Sequence, residues 1–530
     1  MNRFLLALLS GFLFALSWPT YGQPLLLFVA FIPLLIVEFF VRNSDTRLKK
    51  WQIFGYSYLT FLIWNFVTTS WLRFASEFGA AFAILVNSML MAIVMVLYHT
   101  VAKRTSLWKS CLFFISIWIS FEYLHLHWDF SWPWLNLGNA FSEHYKWIQW
   151  YEYTGTFGGT LWVLIVNVIL FYGTLHFNLQ NSKKLLKSYG IWALTLIIVP
   201  ILISLFIYFS YEETGKEVNV IALQPNIDPY DEKYNIPNNQ IAELFIELSD
   251  SKVTDSTDFI LAPETVFAYN VKLRELENAL FKYQLDKYVL EHPQVNLLTG
   301  VSFIDFITDP NKVSAKSNYY RDSIWYNDYN SAILINSKDS TQFYHKSKLV
   351  VGIEDLPYQS ILKPLVGDAM IDLGGTVAMK TTQENRSVFT TADKEFMAAP
   401  IICYESVYGE FVTGYVRNGA NFLTIITNDA WWNNTQGHKQ HLSYARLRAI
   451  ETRRPIGRSA NTGISAMINQ KGDITSSLPY DTKGALSGTL HTNEEFTFYT
   501  LAGDYIARIA LFICLLLGLI TWFRRPRTIL

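Results

Sequence analysis

Cys403 is the first residue whose type and surroundings could do chemistry. The other two cysteines, Cys111 and Cys514, lie inside long apolar runs, so Cys403 is the only thiol in the polar part of the sequence. It follows an apolar stretch that predicts a strand, and the chain from Tyr404 onward could open a helix. A side chain at such a corner stands clear of its neighbours, as a nucleophile must. The alternative is a small buried hydrophobic side chain, which is common for a free cysteine.

Glu264 ends a second apolar stretch, DFILAPE (258–264). The preceding Pro263 has no amide hydrogen, which suits the end of a strand. Apolar neighbours such as Leu261 and Val266 would raise the pKa of the carboxyl group by desolvation, toward values useful to a general base. The alternative is an exposed glutamate at a strand end.

Lys346 lies in the segment YHKSKLV (344–350), two residues after Tyr344 and two before Lys348. If the strand continues, these three side chains share one face. A cation held there could stabilise an oxyanion. The alternative is a pair of solvated lysines at a strand edge.

A carboxylate, an ammonium and a thiol, each near the end of a separate strand, are the groups needed for amide or ester chemistry through a thioester. The base takes the thiol proton, the thiolate attacks a carbonyl carbon, and the cation balances the developing negative charge. Because a free cysteine has a pKa of about 8.5, a base and a cation must lie nearby to supply thiolate at neutral pH.

An α/β domain is needed to position these residues. Short apolar strands are predicted at 218–224, 258–264, 295–301, 399–405 and 421–427, and helices near 238–250, 271–291 and 439–453. Residues 331–346 predict a hairpin whose turn is Ser337 to Ser340. The segment from 210 to 500 is therefore predicted to be an α/β domain with layered sheets. Such a domain could equally be a binding module, because fold class does not settle function.

The rest of the chain has the composition of membrane-embedded sequence. Charged residues make up only 16% of the 530 residues, against about 25% in ordinary soluble domains. Eight apolar runs are candidate membrane-spanning helices, near 4–18, 24–41, 52–72, 80–101, 108–125, 157–177, 189–209 and 501–523. The first has a poor signal-peptide cleavage site, so we expect it to be retained. The predicted domains are a seven-helix membrane domain (1–209), the α/β domain (210–500), and an eighth helix with a tail (501–530).

The basic residues near the spans predict the orientation of the chain, because cytoplasmic loops are enriched in Lys and Arg. With a cytoplasmic N-terminus, only Arg73 and Lys146 lie in the short outside loops. The inside segments contain Arg3; Arg42, Arg47, Lys49 and Lys50; Lys103, Arg104 and Lys109; Lys183, Lys184 and Lys187; and Arg524, Arg525 and Arg527. This bias predicts cytoplasmic termini and an α/β domain outside the cytoplasm.

Charge and motif content exclude some classes of function. Acidic and basic residues nearly cancel, 44 against 43, and no basic stripe with interleaved aromatic residues could follow a phosphate backbone. We therefore expect no nucleic-acid partner. The sequence has no CxxC pair and no HExxH helix, so it predicts no metal and no organic cofactor.

Three segments carry a resemblance to a known superfamily. APET (262–265), YHKSKLV and IICYES (401–406), in this order and at these separations, resemble the catalytic signatures of the nitrilase superfamily. Flanked by membrane spans, they resemble the apolipoprotein N-acyltransferase family, which completes bacterial lipoproteins. The likeness covers nearly the whole chain and includes WPWLNLGNAF (132–141), NDAWW (428–432) and QHLSYARLRAIETRRPIGRSANTGIS (440–465). Each motif alone is weak, but the ordered set is specific.

The resemblance implies a fold and a set of residue roles. The α/β domain would be a nitrilase-like α-β-β-α sandwich beside a polytopic helical domain. Glu264 would be the general base, Lys346 the cation that steadies the tetrahedral intermediate, and Cys403 the acylated nucleophile. Three further positions match supporting residues of the family: Glu354, Tyr404 and Glu405.

The segment around the lysine departs from the family pattern. The family usually has a histidine where this chain has Lys348, and a Pro-Phe-Gly-Glu run where Val351 to Ile353 precede Glu354 here. The spacing from Tyr344 matches the motif for Lys346, which we favour as the cation, and Lys348 is the alternative.

The resemblance also implies an activity in the bacterial cytoplasmic membrane. Cys403 would take a fatty acyl chain from a phospholipid, the sn-1 chain of phosphatidylethanolamine, and pass it to the α-amino group of a diacylglyceryl-cysteine on an apolipoprotein. Donor and acceptor would use one site in turn, which predicts ping-pong kinetics. Two alternatives are a membrane-anchored amidase that releases the acyl group to water, and a non-enzymatic polytopic receptor or transporter.

Overall fold

A computed structural model describes residues 2–229, 232–233, 235–358 and 378–523. The chain divides into two compact units. The first unit is made of Met1–Arg73, Gly79–Ser210 and Ala502–Leu530. The second unit is made of Phe74–Phe78 and Tyr211–Leu501. The basic tail residues Arg524, Arg525 and Arg527 lie outside the described residues.

The described α-helices are numbered here in chain order. They are α1 (Arg3–Ala15), α2 (Leu27–Ala30), α3 (Ile32–Arg42), α4 (Lys49–Thr69), α5 (Glu77–Ala102), α6 (Leu107–His125), α7 (Tyr151–Gln180), α8 (Lys183–Ser210), α9 (Asn238–Asp250), α10 (Leu280–Glu291), α11 (Gly409–Arg417), α12 (Gln436–Thr452), α13 (Phe498–Ala502) and α14 (Tyr505–Trp522). Helices α1 to α8 and α14 build the first unit, and α9 to α12 belong to the second.

Each of the eight apolar runs forms helix, but six of these helical segments are long and apolar enough to cross a membrane. Helix α1 has only 13 residues. Helix α4 has 21 residues but carries several polar side chains, among them Ser57, Thr60 and Asn65. The predicted count of eight spans is therefore not confirmed, although the polytopic helical character of this unit is.

Glu38 and Glu122 are buried inside the first unit, and both have polar partners there. Glu38 Oε1 lies 2.6 Å from His99 Nδ1. The other, Glu122, accepts hydrogen bonds from Trp118 Nε1 and from the backbone amide of Leu137. Buried carboxylates in a membrane segment are costly unless they are paired in this way. Their contacts therefore give each of them a structural role within the helical unit.

Fourteen described strands form two sheets in the second unit. They are β1 (Glu217–Gln224), β2 (Phe259–Leu261), β3 (Phe267–Lys272), β4 (Asn296–Ile307), β5 (Asn318–Arg321), β6 (Ile324–Ile335), β7 (Gln342–His345), β8 (Phe389–Thr390), β9 (Met397–Ile402), β10 (Phe422–Thr427), β11 (Ile456–Ala460), β12 (Ser465–Ile468), β13 (Ile474–Leu478) and β14 (Gly484–His491). The first sheet has the order β14-β1-β2-β4-β6-β5, with β3 on β4 and β7 on β6. The second has the order β13-β12-β11-β10-β9-β8.

Parallel pairing at the centre of each sheet brings strand ends to one edge. Strands β1, β2 and β4 are parallel neighbours in the first sheet, and β9, β10 and β11 are parallel neighbours in the second. The carboxyl ends of neighbouring parallel strands meet at the same edge, which is where α/β proteins commonly place their sites.

The layers of this unit are helix, sheet, sheet and helix. Helices α9 and α10 bury Ile241, Phe245 and Leu285 in one apolar core with residues of the first sheet such as Ile260 and Leu297. On the second sheet, residues 440 to 452 of α12 are all buried, polar side chains included. The predicted α-β-β-α architecture is confirmed.

Gly457 shows how closely the two sheets approach. A Cβ atom on Gly457 in β11 would lie 2.8 Å from Leu261 Cδ1 and 3.2 Å from Val220 Cγ1 of the first sheet. Real Cβ atoms rarely approach carbon so closely, and tightly packed cores have no slack to yield. The absent side chain therefore allows the sheets to pack face to face.

The hairpin prediction is confirmed, because β6 and β7 pair antiparallel with Ser331 opposite His345. The prediction of one helix over 271–291 is wrong in its first half. Residues up to Lys272 complete β3, Leu273–Asn278 form a 3-10 helix, and the α-helix begins at Leu280.

Candidate active site

Cys403 directly follows β9 and opens a short 3-10 helix, Cys403–Val407. Its φ is +48°, in the left-handed region that is unfavourable for a residue with a Cβ atom. The side chain is buried, and its thiol is within hydrogen-bonding reach of Thr427. Burial raises the pKa of the Cys403 thiol well above its ordinary value; the Glu264 carboxylate adds to this rise and Lys346 opposes it. The predicted strand-to-helix corner is present.

Glu264 lies just beyond β2, on a turn that only a neighbouring glycine permits. A Cβ atom on Gly300 in β4 would lie 2.5 Å from both the Pro263 oxygen and the Thr265 nitrogen. The side chain of Glu264 is only 8% exposed, unlike a solvated glutamate at a strand end. Its Oε2 accepts a hydrogen bond of 3.2 Å from the backbone amide of Asn428, which follows β10 of the other sheet.

Lys346 directly follows β7 and is buried. Its Nζ donates to Glu264 Oε1 at 2.9 Å and to Glu354 Oε1 at 3.0 Å. Burial lowers the pKa of Lys346, but the two carboxylates outweigh burial, so the net pKa is well above the ordinary value. The lysine therefore remains an ammonium throughout the physiological pH range.

Asn330 joins the two carboxylates from the facing strand. Its Nδ2 donates to Glu264 Oε1 at 2.7 Å and to Glu354 Oε1 at 2.9 Å. Glu354 Oε2 also accepts from the Val350 amide at 2.9 Å. Burial alone would raise the pKa of Glu354, but Lys346 and these hydrogen bonds lower it overall. The cluster is thus one ammonium between two carboxylates whose orientations are fixed.

Glu405 links the nucleophile corner to the lysine segment. Its Oε1 accepts from the Tyr344 hydroxyl and from the Ser347 amide, both at 2.6 Å, and its Oε2 accepts from the Ile402 amide at 2.9 Å. Burial raises the pKa of Glu405 to about 6. The carboxylate therefore ties the two segments together.

Tyr404 and Lys348 both lie against Tyr408. Tyr404 is buried with its ring edge-on to Tyr408, the ring centroids being 5.3 Å apart. Lys348 Nζ lies 5.0 Å from the centroid of the same ring, in a cation–π geometry. By contrast, the Nζ atom that contacts Glu264 belongs to Lys346.

A second polar cluster contacts the backbone of Cys403. Asp429 follows β10, His441 lies on α12 and Arg458 lies on β11, and all three are buried. Arg458 Nη2 donates to Asp429 Oδ2 at 2.6 Å, and Asp429 Oδ1 lies 3.0 Å from His441 Nδ1. Arg458 and His441 hold the pKa of Asp429 far below its usual range, although burial alone would raise it.

The Cys403 sulfur and ligand atoms of Asp429 and His441 lie within 4.8 Å of one another. Such a trio can in principle hold a divalent ion. Here the Arg458 guanidinium already neutralises the Asp429 carboxylate. The arrangement of Asp429 is therefore that of an ion-pair partner and does not suit a metal ligand.

Comparison with known proteins gives matches to both parts of the chain. Residues 10–169 match the apolipoprotein N-acyltransferase N-terminal domain, and residues 311–494 match the carbon-nitrogen hydrolase domain. An apolipoprotein N-acyltransferase of Chlorobaculum tepidum is 27% identical over an alignment of 533 residues, covering 98% of this chain and 97% of that protein. Over nearly its full length the chain is therefore similar to apolipoprotein N-acyltransferases. Haemophilus influenzae has an apolipoprotein N-acyltransferase that is 26% identical over 554 residues, covering 100% of this chain and 98% of that protein.

Among solved structures, Nit3 of Saccharomyces cerevisiae, a member of the nitrilase superfamily, aligns with 53% of this chain over 92% of its own length. The sequence identity is 13% and the TM-score is 0.37.

Sequence reasoning missed four polar side chains that contact the site. They are Asn330, Asp429, His441 and Arg458. The hairpin prediction offered a signal for the first, since pairing of β6 with β7 places position 330 near Lys346, whose amide donates to the Asn330 carbonyl at 2.8 Å. The other three lie inside motifs quoted for the family resemblance, but spacing alone does not predict their contacts with Cys403.

Proposed function

We propose that this protein transfers a fatty acyl chain from a phospholipid to the N-terminal α-amino group of S-diacylglyceryl-cysteine on an apolipoprotein, through a thioester on Cys403. The observation that carries the proposal is the buried contact of 2.9 Å between Lys346 Nζ and Glu264 Oε1, close enough to Cys403 to perturb its thiol. Full-length similarity to apolipoprotein N-acyltransferases supports the choice of substrates.

In the first half-reaction, Glu264 accepts the thiol proton as the Cys403 sulfur attacks the ester carbonyl of the phospholipid. The Lys346 ammonium stabilises the resulting oxyanion. The carbon–oxygen ester bond then breaks, and the leaving lysophospholipid alkoxide takes the proton from Glu264. A thioester on Cys403 remains, and Glu264 is again a carboxylate.

The second half-reaction uses the same groups in reverse. The neutral α-amino group of the acceptor attacks the thioester carbonyl and gives a proton to Glu264. The carbon–sulfur bond breaks, the amide is released, and the proton returns to the Cys403 sulfur. The raised pKa of the thiol favours this return, since a thiol of high pKa is stable in its protonated form.

Glu354 and Glu405 act through other residues in this scheme. Glu354 shares Lys346 with Glu264 and so keeps the ammonium in place. Glu405 holds the lysine segment against the corner that carries Cys403. Tyr404 contributes through its backbone, because the amide after a nucleophile commonly binds the oxyanion.

The site would lie outside the cytoplasm, in the cytoplasmic membrane of a bacterium, with both termini inside. The support is the alternation of basic residues along the sequence, with Lys183 and Lys184 on the proposed inner side and only Arg73 and Lys146 in the short outer loops. A polar domain of residues 210–500 between membrane helices would then act on lipids of the outer leaflet.

The decisive experiment incubates purified protein with an acyl-labelled phospholipid and a synthetic diacylated lipopeptide. The wild type should form the triacylated peptide, and with phospholipid alone it should add one fatty acyl mass to the Cys403 peptide. Cys403→Ala should form neither product, whereas Cys514→Ala, the matched removal of a thiol from α14, should form both.

Substantial lipid turnover by a folded Cys403→Ala variant would refute the thioester route. Release of labelled free fatty acid at the rate of donor consumption, with no acylated peptide, would instead identify an amidase-like hydrolase that uses water as the acceptor.

A further inference from the structure

The buried carbonyl oxygen of Cys403 is held from two sides. The Ser406 hydroxyl donates to it at 2.7 Å, and His441 Nε2 lies 3.2 Å from it. A carbonyl oxygen can only accept, so His441 Nε2 carries a proton in this contact. The same nitrogen lies 3.0 Å from Ser406 Oγ, whose own proton is directed to Cys403.

His441 is oriented in turn by charges behind it. Its Nδ1 lies 3.0 Å from Asp429 Oδ1, and Asp429 Oδ2 accepts from Arg458 Nη2 at 2.6 Å. Thr427 donates to Asp429 Oδ1 at 2.8 Å. These groups come from two neighbouring strands and one helix, and all are buried, so the imidazole has little freedom to rotate.

The direction of the Cys403 carbonyl determines the direction of another group. No described peptide bond is cis, and in a trans peptide the carbonyl and the amide hydrogen point in opposite directions. Fixing the Cys403 oxygen therefore fixes the amide hydrogen of Tyr404. The amide that follows a nucleophile is a common oxyanion donor.

The corner needs such support because its backbone is strained. A φ of +48° at Cys403 is unfavourable for a residue with a Cβ atom, and strain of this kind persists only where neighbouring contacts impose it. A rotated peptide would relieve the strain and turn the Tyr404 amide away from the reacting carbonyl.

We propose that Arg458, Asp429 and His441 form a relay that clamps the Cys403 carbonyl and thereby aims the Tyr404 amide at the oxyanion of the acyl-transfer reaction. His441 is a positioning residue in this scheme, and the cysteine proton goes to Glu264. The inference rests on the proposed function, because it assigns a role within that reaction.

Two reactions of the Cys403 thiol can distinguish a positioning role of His441 from a role in activating the thiol. Acylation by p-nitrophenyl butyrate forms a carbon–sulfur bond at a carbonyl, passes through an oxyanion, and releases p-nitrophenol with the thiol proton. Alkylation by iodoacetamide displaces iodide at a saturated carbon and forms no oxyanion. A clamp on the oxyanion amide therefore affects the first reaction and leaves the second unchanged.

The experiment measures both reactions at the Cys403 peptide by mass spectrometry, in full-length protein in detergent. His441→Phe, which keeps the ring volume without a donor, should slow acylation by about a hundredfold, as loss of an oxyanion donor does. The rate of alkylation should stay within about threefold of the wild-type rate, and its pH profile should not shift. Attack of sulfur on a saturated carbon forms no oxyanion, so the Tyr404 amide has nothing to stabilise in this reaction. His441→Gln should recover part of the acylation rate, because a carboxamide nitrogen can donate to the same carbonyl.

His438→Phe is the matched control, one turn earlier on α12. His438 is also buried, but its ring packs against Tyr480 with centroids 4.4 Å apart. Both reactions should be unchanged in this variant. Should His441→Phe fail to fold, Ser406→Ala removes the other donor to the Cys403 carbonyl, and it should slow acylation by about tenfold with alkylation unchanged.

Acylation at the wild-type rate in a folded His441→Phe variant, or in Ser406→Ala where that variant replaces it, would overturn the proposal. Equal slowing of both reactions would overturn it too, and would identify His441 as a group that activates the thiol. If the wild type reacts with the activated ester but takes no acyl group from phospholipid vesicles, the proposed function fails. The two reactions of Cys403 would still test whether His441 positions the Tyr404 amide.

Discussion

The Cys403 thiol is protonated before it meets substrate. Burial raises its pKa well above the ordinary value, the Glu264 carboxylate raises it further, and Lys346 only partly opposes them. A preformed thiolate therefore does not drive the reaction. In the proposed reaction the proton leaves as the sulfur attacks, which requires a carboxylate close to the thiol, and the buried Glu264 would meet this requirement.

Alkylation by iodoacetamide reports this protonation state directly. The rate at Cys403 should still rise by about tenfold per pH unit at pH 9, where a free cysteine with a pKa of about 8.5 has begun to level off. Glu264→Gln removes a charge that raises the thiol pKa, so its profile should move to lower pH. Glutathione alkylated in parallel is the reference, and a plateau below pH 8 in the wild type would contradict the assignment.

The two lysines near the site differ in what they contact. Lys346→Ala removes the ammonium between Glu264 and Glu354, so acyl transfer should slow by at least about a hundredfold, near 2.7–4 kcal/mol for one oxyanion partner. Lys348→Ala removes a cation that lies over Tyr408 and should have a much smaller effect. Steady-state rates of lipopeptide acylation provide the comparison. The reverse ranking would assign the cation role to Lys348.

At the scale of elements, the site depends on how strand ends are held. Glu264, Lys346 and Cys403 follow β2, β7 and β9 respectively, and each is fixed by contacts from another strand or turn. Gly300 is part of this support, since the turn around Glu264 packs directly on the Cα atom of Gly300.

Gly300→Ala should therefore displace Glu264, the proposed base, without changing any of the proposed reacting groups. The new methyl would overlap two backbone atoms of the 263–265 turn, and a shift of about 1 Å in a catalytic group can cost about a hundredfold in rate. Gly484→Ala is the control, because the nearest atom to its Cβ would be Leu478 Cδ1 at 3.7 Å, and it should stay within about twofold. Acylation rates and thermal stability of both variants test this, and an unchanged rate in folded Gly300→Ala would show that the turn adapts.

Local patterns in the sequence were enough to predict the elements that carry Glu264, Lys346 and Cys403. The strand before Cys403, the strand before Glu264 and the hairpin before Lys346 are short apolar runs with turn residues beside them, and the structure has all three. The secondary structure of the segment 271–291 was harder to predict, because its first residues complete β3 (Phe267–Lys272). The pairing partner of this strand, β4, lies later in the chain.

The contacts among these elements could not be predicted in the same way. Asp429 follows β10 and Arg458 lies within the neighbouring parallel strand β11, and His441 reaches them from a helix whose residues 440 to 452 are all buried. Such a helix has no polar face to reveal which residues point toward the site. Proximity of this kind arises from the packing of the two sheets and has no periodic signal in one sequence.

At the scale of the whole molecule, the proposed orientation predicts different exposure of two lysines. Lys312 belongs to the second unit and Lys184 to the first, and both are exposed. In cells whose outer membrane has been opened but whose cytoplasmic membrane is intact, a membrane-impermeant maleimide should label Lys312→Cys. Lys184→Cys should be labelled only after the cytoplasmic membrane is permeabilised, and the parent protein sets the background. Labelling of Lys184→Cys first would reverse the topology.

The pairing of β1 with β14 makes the second unit dependent on its own last segment. Glu217 pairs with His491, so the first strand to be synthesised gains one of its two neighbours only after nearly the whole unit has emerged from the ribosome. At about 5–20 residues per second, this delay is on the order of tens of seconds. Throughout that interval the outer edge of β1 is open to wrong partners, so nascent chains of this protein should depend on holding chaperones and be sensitive to premature termination before residue 484.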